Sequence, residues 1–314
     1  MAANAVALLF PGQASQYVGM GRALFEASED VRSIFERVEY ASGVEVRRIC
    51  FEGPEEELAE TPNLQPCMLA MGMAAWTFLK SRIPIAPVCA AGHSLGEYTA
   101  LVAAGAMELE DAAMLVRERG RLMQMAVPKG LGAMAALRGL DPDMLDSVLR
   151  RMRRLGDKVW QANFNGGGQV VISGLVDDLE KALVELKNAG ARRAVMLPVT
   201  APFHSPLMEP AAKGLQPFME KIEISHPEYP VYCNVTAMPH TSGESIAARL
   251  IDQIISPVLW ETTIENMAES GVEVAIECGA GKVLTNLLKR TTDKIRCAAF
   301  EKPDDLEQIE EILG

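Results

Sequence analysis

The sequence predicts an α/β protein whose large domain, built on a mostly parallel sheet, is interrupted by a smaller inserted subdomain. Three observations point there. Short apolar segments at 6–10, 88–91 and 273–277 are each followed by a helical pattern, the alternation of a doubly wound sheet. The 314 residues, 49% hydrophobic and 5% aromatic, can bury an aliphatic core of domain size. Between about 128 and 197 the rhythm changes to β-α-β-β-α-β, which needs a sheet of its own.

Taken in order, Val6-Ala7-Leu8-Leu9-Phe10 follows an opening stretch with no basic n-region, so MAANAVALLFPG reads as a first buried strand and not as a signal peptide. The strand at 88–91 runs into Gly92-His93-Ser94-Leu95-Gly96 and a helix from Tyr98 to Ala106; another helix spans Glu110 to Ala126. After Pro128-Lys129-Gly130 come a strand (133–138), a helix (142 to about 156), a strand (158–163), the turn Gly166-Gly167-Gly168, a strand (169–173), a helix (176–189) and a strand (193–199). Asp141 as N-cap before Pro142, and Gly190 just past a helix end, are boundary signals. The order is that of a ferredoxin-like unit. The expected division is a catalytic domain of 1–127 and 198–314 around an insertion at 128–197.

Composition narrows the function. Forty-two acidic against 30 basic residues give a net charge of -12, which argues against general nucleic-acid binding while leaving room for a local basic patch. No apolar run approaches the roughly 18 residues a membrane span needs, so a cytoplasmic protein is expected. Cys50, Cys67, Cys89, Cys233, Cys278 and Cys297 are scattered without a Cys-x-x-Cys pair and read as small buried hydrophobes rather than zinc ligands.

Gly92-His93-Ser94-Leu95-Gly96 fits G-x-S-x-G between a strand and a helix, a nucleophile elbow of the α/β-hydrolase-like kind. The following helix N-terminus aims backbone donors at a developing oxyanion. Ser94 needs a base. His93 adjoins it and should point away; His226 and His240 sit beside prolines and read as surface turn residues. His204 remains, in Ala201-Pro202-Phe203-His204-Ser205-Pro206, with Ser205 expected to cap the next helix. Arg119 shares its helix face with Ala112, Leu115, Val116, Leu122, Met123 and Ala126, so it is expected to be buried and to meet an anion, either a protein carboxylate or a ligand.

Phe10-Pro11-Gly12-Gln13-Ala14-Ser15-Gln16, Gly92-His93-Ser94-Leu95-Gly96-Glu97, Arg119, Ala201-Pro202-Phe203-His204-Ser205 and Asp252-Gln253 occur in an order that resembles the malonyl-CoA:acyl carrier protein transacylases of fatty-acid and polyketide synthesis. The resemblance runs over essentially the whole chain. It implies Ser94 as nucleophile, His204 as acid and base, and the amides of Gln13 and Leu95 as oxyanion hole. It further implies Arg119 as clamp on the malonyl carboxylate, Phe203 as a steric filter, and the Gln253 carbonyl as support of the histidine. Malonyl-CoA and acyl carrier protein would be the partners, with no cofactor and no metal. Two positions depart from the family pattern. Ala14 replaces a glycine, so its backbone must avoid positive φ or carry strain, and Gly166-Gly167-Gly168 leaves any role for Asn163 or Asn165 in doubt.

Two further signals are weighed. Gly279-Ala280-Gly281-Lys282 fails as a phosphate loop, since Ile276 and Val283 stand where glycine and Ser/Thr are required. Arg150, Arg151, Arg153, Arg154 and Lys158, with Arg192 and Arg193, form a basic cluster that could steer an acidic carrier protein. A serine hydrolase and a silent scaffold are the rival readings; the pairing of Ser94 with His204 and Arg119 speaks against both.

Overall fold

The computed structural model describes residues 5–314. Residues 1–4, part of the stretch read against a signal peptide, lie outside the described residues. The strands in chain order are β1 (Val6–Phe10), β2 (Cys89–Gly92), β3 (Gly132–Arg138), β4 (Val159–Gly166), β5 (Gln169–Leu175), β6 (Arg193–Met196), β7 (Val231–Tyr232), β8 (Val274–Cys278) and β9 (Arg296–Phe300). One sheet has the order β7-β2-β1-β8-β9 with every neighbouring pair parallel.

Strands β1 and β8 are buried along their whole length because helices cover both faces; β1 is an unbroken apolar run, and β8 departs from one at Glu277, whose buried carboxylate accepts from the Leu284 and Thr285 amides. Alternation persists inside them. Leu8 and Phe10 face one core, shared with the helix Thr61–Arg82, while Ala7 and Leu9 face another around Trp260. Each fully buried Leu or Phe contributes about 1.5–3 kcal/mol. The helix Thr61–Arg82 is apolar on nearly all sides and runs through the larger core.

The second sheet, β4-β5-β3-β6, is antiparallel throughout, with the helices Pro142–Arg154 and Val176–Asn188 on one face. This is the ferredoxin-like order that the sequence predicts. Asp141 caps its helix as expected, accepting from the amides of Asp143 and Met144.

Element limits differ in physically explicable ways. The strand expected at 193–199 stops at Met196, ahead of Pro198, which has no amide to donate. The strand expected to end at 163 runs on to Gly166. The helix after the elbow is Leu95–Ala103, earlier than the expected 98–106, because the chain turns immediately at Ser94. Ser205 does not cap: its hydroxyl donates back to the Pro202 carbonyl, and the chain passes through the short 3-10 turn Pro206–Met208 first. Ala14 takes the strained option, with φ at 81°. Among the described residues no helix is long and apolar enough to cross a membrane.

Candidate active site

Between β2 and the helix Leu95–Ala103, Ser94 sits at φ 52° and ψ -106°, a conformation rare for any residue with a Cβ. Two glycines make the turn possible. A Cβ on Gly92 would overlap the Gly96 carbonyl, and one on Gly96 would overlap that of Phe10. Asn234, just beyond β7, staples the turn: its Oδ1 accepts from the Ser94 amide at 2.6 Å and its Nδ2 donates to the Gly92 carbonyl at 2.7 Å.

His204, also at positive φ (56°), approaches from the loop after β6. Its Nδ1 lies 2.8 Å from the carbonyl oxygen of Gln253. A carbonyl only accepts, so Nδ1 carries the hydrogen and Nε2 turns its lone pair to the Ser94 hydroxyl, 2.8 Å away. Burial above all, then the positive Arg119 nearby, pushes the His204 pKa down to about 3. The imidazole is therefore held neutral, the form that can take a proton.

Arg119 is 1% exposed. Among the described residues its guanidinium meets neutral acceptors: Gln65 Oε1 at 2.8 Å, Gln253 Oε1 at 2.9 Å and Ser94 Oγ at 3.0 Å. The ring of Tyr98 lies below it, 5.4 Å away, and its Nε finds no acceptor. Of the two anions that burial left open, a directly bonded protein carboxylate is thus absent among the described residues. Gly120 lets this helix press against Thr61 and so brings Gln65 within reach.

Ser94, His204, Arg119 and Gln65 line one cavity of about 230 Å³. Gln13 and Leu95 line it too; Leu95 opens its helix, so its amide has no intrahelical acceptor. Phe203, 7% exposed, forms part of the wall. The turns that follow β1 and β2 contribute Gly12, Gln13 and Ser94, and the second sheet contributes Met134, Asn163 and Gln169.

Among the predicted bystanders, His93 does point away, to Asn165 Oδ1 at 2.9 Å and the Trp260 ring. That gives Asn165 a clear place despite the triple-glycine turn. His226 is exposed as expected. His240 is not a surface residue: its side chain is fully buried and its Nε2 meets Glu97 Oε1 at 2.8 Å. A proline neighbour misled there, because Pro239 belongs to a short antiparallel bridge with Tyr232 that turns His240 inward. All six cysteines are buried and free.

The acyl transferase domain model matches residues 7–308. The malonyl CoA-acyl carrier protein transacylase of Bacillus subtilis (strain 168) is 41% identical over 302 residues, covering 96% of this chain and 95% of the relative. The chain belongs to this transacylase family. The Escherichia coli (strain K12) transacylase agrees, 41% identical over 95% of this chain and 96% of its own length. Among solved structures, the transacylase of Coxiella burnetii superposes with a TM-score of 0.96 at 36% identity, over 99% of this chain and 98% of that one. A malonyl-transacylase in complex with a type II PKS acyl-carrier protein superposes with 0.94 at 40% identity, over 98% and 99%.

Within that family frame the structure adds Gln65, Glu97 and Asn234, which sequence reasoning passed over. Glu97 alone carried a signal: a carboxylate on an apolar helix must be paired once buried. Gln65 and Asn234 are neutral amides whose importance comes only from their partners.

Proposed function

We propose that this chain moves a malonyl group from malonyl-CoA to the phosphopantetheine thiol of acyl carrier protein, supplying extender units for fatty-acid synthesis. Ser94 Oγ attacks the thioester carbon while His204 Nε2 takes its proton. The oxyanion rests on the Gln13 and Leu95 amides. The carbon–sulfur bond breaks, His204 returns the proton to the departing CoA sulfur, and O-malonyl Ser94 remains. In the second half the carrier thiol gives its proton to His204 and attacks the ester. Ser94 leaves and recovers that proton. The Gln253 carbonyl keeps the imidazole in its working tautomer, so a Ser-His dyad suffices. No oxidation state changes, so the reaction as written draws on no cofactor and no metal.

The observation that carries this reading is the Arg119 guanidinium, buried, bonded to no carboxylate among the described residues, and 3.0 Å from the Ser94 oxygen. A malonyl group is an acyl carbon with a carboxylate at the far end, and a bidentate pair with Arg119 would seat it. Phe203 beside His204 would crowd a branched acyl group.

The cavity shares Ala136, Gln169 and Leu197 with a second hollow whose lining includes Arg138, Arg193 and Arg290, exposed and without a carboxylate partner among the described residues. These are suited to the phosphates on CoA and on the carrier arm. The cluster at 150–154 is a weaker candidate for the carrier, since Arg150 pairs with Asp146, Arg151 with Glu185, and Arg153 with the Val159 carbonyl. We assign 1–127 with 198–314 as the catalytic domain, 128–197 as the insertion that walls the cleft, and the cytoplasm as its setting.

The test is to mix the protein with radiolabelled malonyl-CoA, locate label on Ser94, and chase with holo carrier protein or with water. Transfer to the carrier thiol with little hydrolysis is expected, and Ser94→Ala should take up no label. Rapid discharge to water would identify an esterase instead.

A further inference from the structure

Behind the reacting groups lies a buried cluster that the chemistry above does not use. Glu97 and His240 have no exposed side-chain surface, and Glu97 spends every oxygen on neighbours. Oε1 faces His240 Nε2 at 2.8 Å; Oε2 accepts from the Asn234 amide at 3.0 Å and from Gln253 Nε2 at 2.7 Å. An ionised carboxylate only accepts, so His240 Nε2 bears a hydrogen and Gln253 must turn its NH2 end toward Glu97. The opposite end of that amide, Oε1, then has to face Arg119. The same NH2 also donates to the Ser94 carbonyl at 3.0 Å.

From this geometry we infer that Glu97, held by His240, is a positioning residue that sets the Gln253 amide and thereby tunes Arg119 for a carboxylate-bearing acyl group. The inference rests on the transacylase reading above. A carboxylate bonded directly to Arg119 would compete with malonyl for the guanidinium. One placed behind a glutamine orients and partly balances the cation while leaving its remaining donors for the substrate. Asn234 ties the same carboxylate to the elbow, so nucleophile and clamp are indexed to one anchor. Cys233 brings its sulfur within 4.8 Å of the other two ligating atoms, but a divalent ion there would have to displace the bonds that hold Gln253 and Asn234.

Rates of Ser94 acylation by malonyl-CoA and by acetyl-CoA should be measured in the full chain, in Glu97→Gln, and in the pair His240→Leu and His240→Gln. Glu97→Gln frees the Gln253 amide to flip. The malonyl-to-acetyl ratio of kcat/KM is expected to fall about tenfold, the factor carried by one hydrogen bond to a charged group. His240→Leu should lower the ratio similarly, and His240→Gln, which keeps a donor for Glu97, should restore it in large part. A merely structural cluster would lower the melting temperature and both acyl rates together. An unchanged ratio in folded Glu97→Gln, or equal losses for both acyl groups, overturns the inference. Should Glu97→Gln not fold, the His240 pair decides by the same criterion. A parent chain with no preference for malonyl would overturn the transacylase reading itself.

Discussion

A guanidinium bonded to amide and hydroxyl oxygens is costly to bury, and at Arg119 the carboxylate of Glu97, set behind Gln253, balances that cost only in part, so an anion entering the cavity completes it. Arg119→Ala is therefore expected to weaken acylation by malonyl-CoA by roughly 2–4 kcal/mol in kcat/KM, while acetyl transfer is spared or improved. Equal losses for the two donors would count against the clamp. The same charge shapes the pH profile through His204. Its folded pKa is lowered to about 3, so the neutral base survives as pH falls through the ordinary value of 6.5. kcat/KM for malonyl-CoA should accordingly show no His204 limb near pH 6.5, only one at far lower pH. Removing Arg119 removes a cause of that depression, so the limb should move up in Arg119→Ala, read with acetyl-CoA. Stability carries the matching sign. Below 6.5 the unfolded chain binds a proton that folded His204 refuses, so this residue makes the fold less stable as pH falls from 6.5 toward 3.

The elbow is the element on which these residues depend, and its tolerances are set by backbone contact. Gly96 lies against the Phe10 carbonyl of β1, so Gly96→Ala must push the helix Leu95–Ala103 off the sheet. A stability loss of about 1–3 kcal/mol is expected by thermal unfolding, together with loss of Ser94 labelling at temperatures where the chain is still folded. Labelling at the parent rate would show that the turn is not held as described. The elements also show where sequence reading succeeds. G-x-S-x-G between a strand and a helix was legible because steric limits on the turn leave their mark as glycines at fixed offsets. The buried face of Arg119 was legible because helical spacing places it among apolar residues. His240 and Glu97 were not paired in advance. Their contact joins positions 143 residues apart, and no local pattern records it. Asn165 was discounted for the glycines beside it, yet β4 runs through to Gly166 and holds the asparagine against His93.

At the scale of the whole molecule, a chain of net charge -12 that moves malonyl from CoA to a carrier as proposed would receive two anionic partners. Long-range repulsion slows such encounters unless local positive surface offsets it, and exposed charges act over about 8–10 Å at physiological salt. Two surfaces could serve, and they differ in what they would touch. Arg138 and Arg193 border the hollow beside the catalytic cavity, where they would meet the phosphate of a pantetheine arm on either carrier if the arm enters by that side. Arg150 and Arg154 lie on the helix Pro142–Arg154 of the inserted unit, outside the lining of the cavity and of the hollow, where a docked protein would touch them. Reversing Arg138 and Arg193 to glutamate should therefore raise KM severalfold for malonyl-CoA and for the carrier alike. Reversing Arg150 and Arg154 should raise KM for the carrier and leave Ser94 acylation by malonyl-CoA unchanged. Both carrier effects should shrink as salt rises, since screening removes the interaction that reversal inverts. If the outer pair alters neither substrate, the carrier docks around the hollow, and the basic helix is a solvated face on which Arg150 and Arg151 are paired with Asp146 and Glu185.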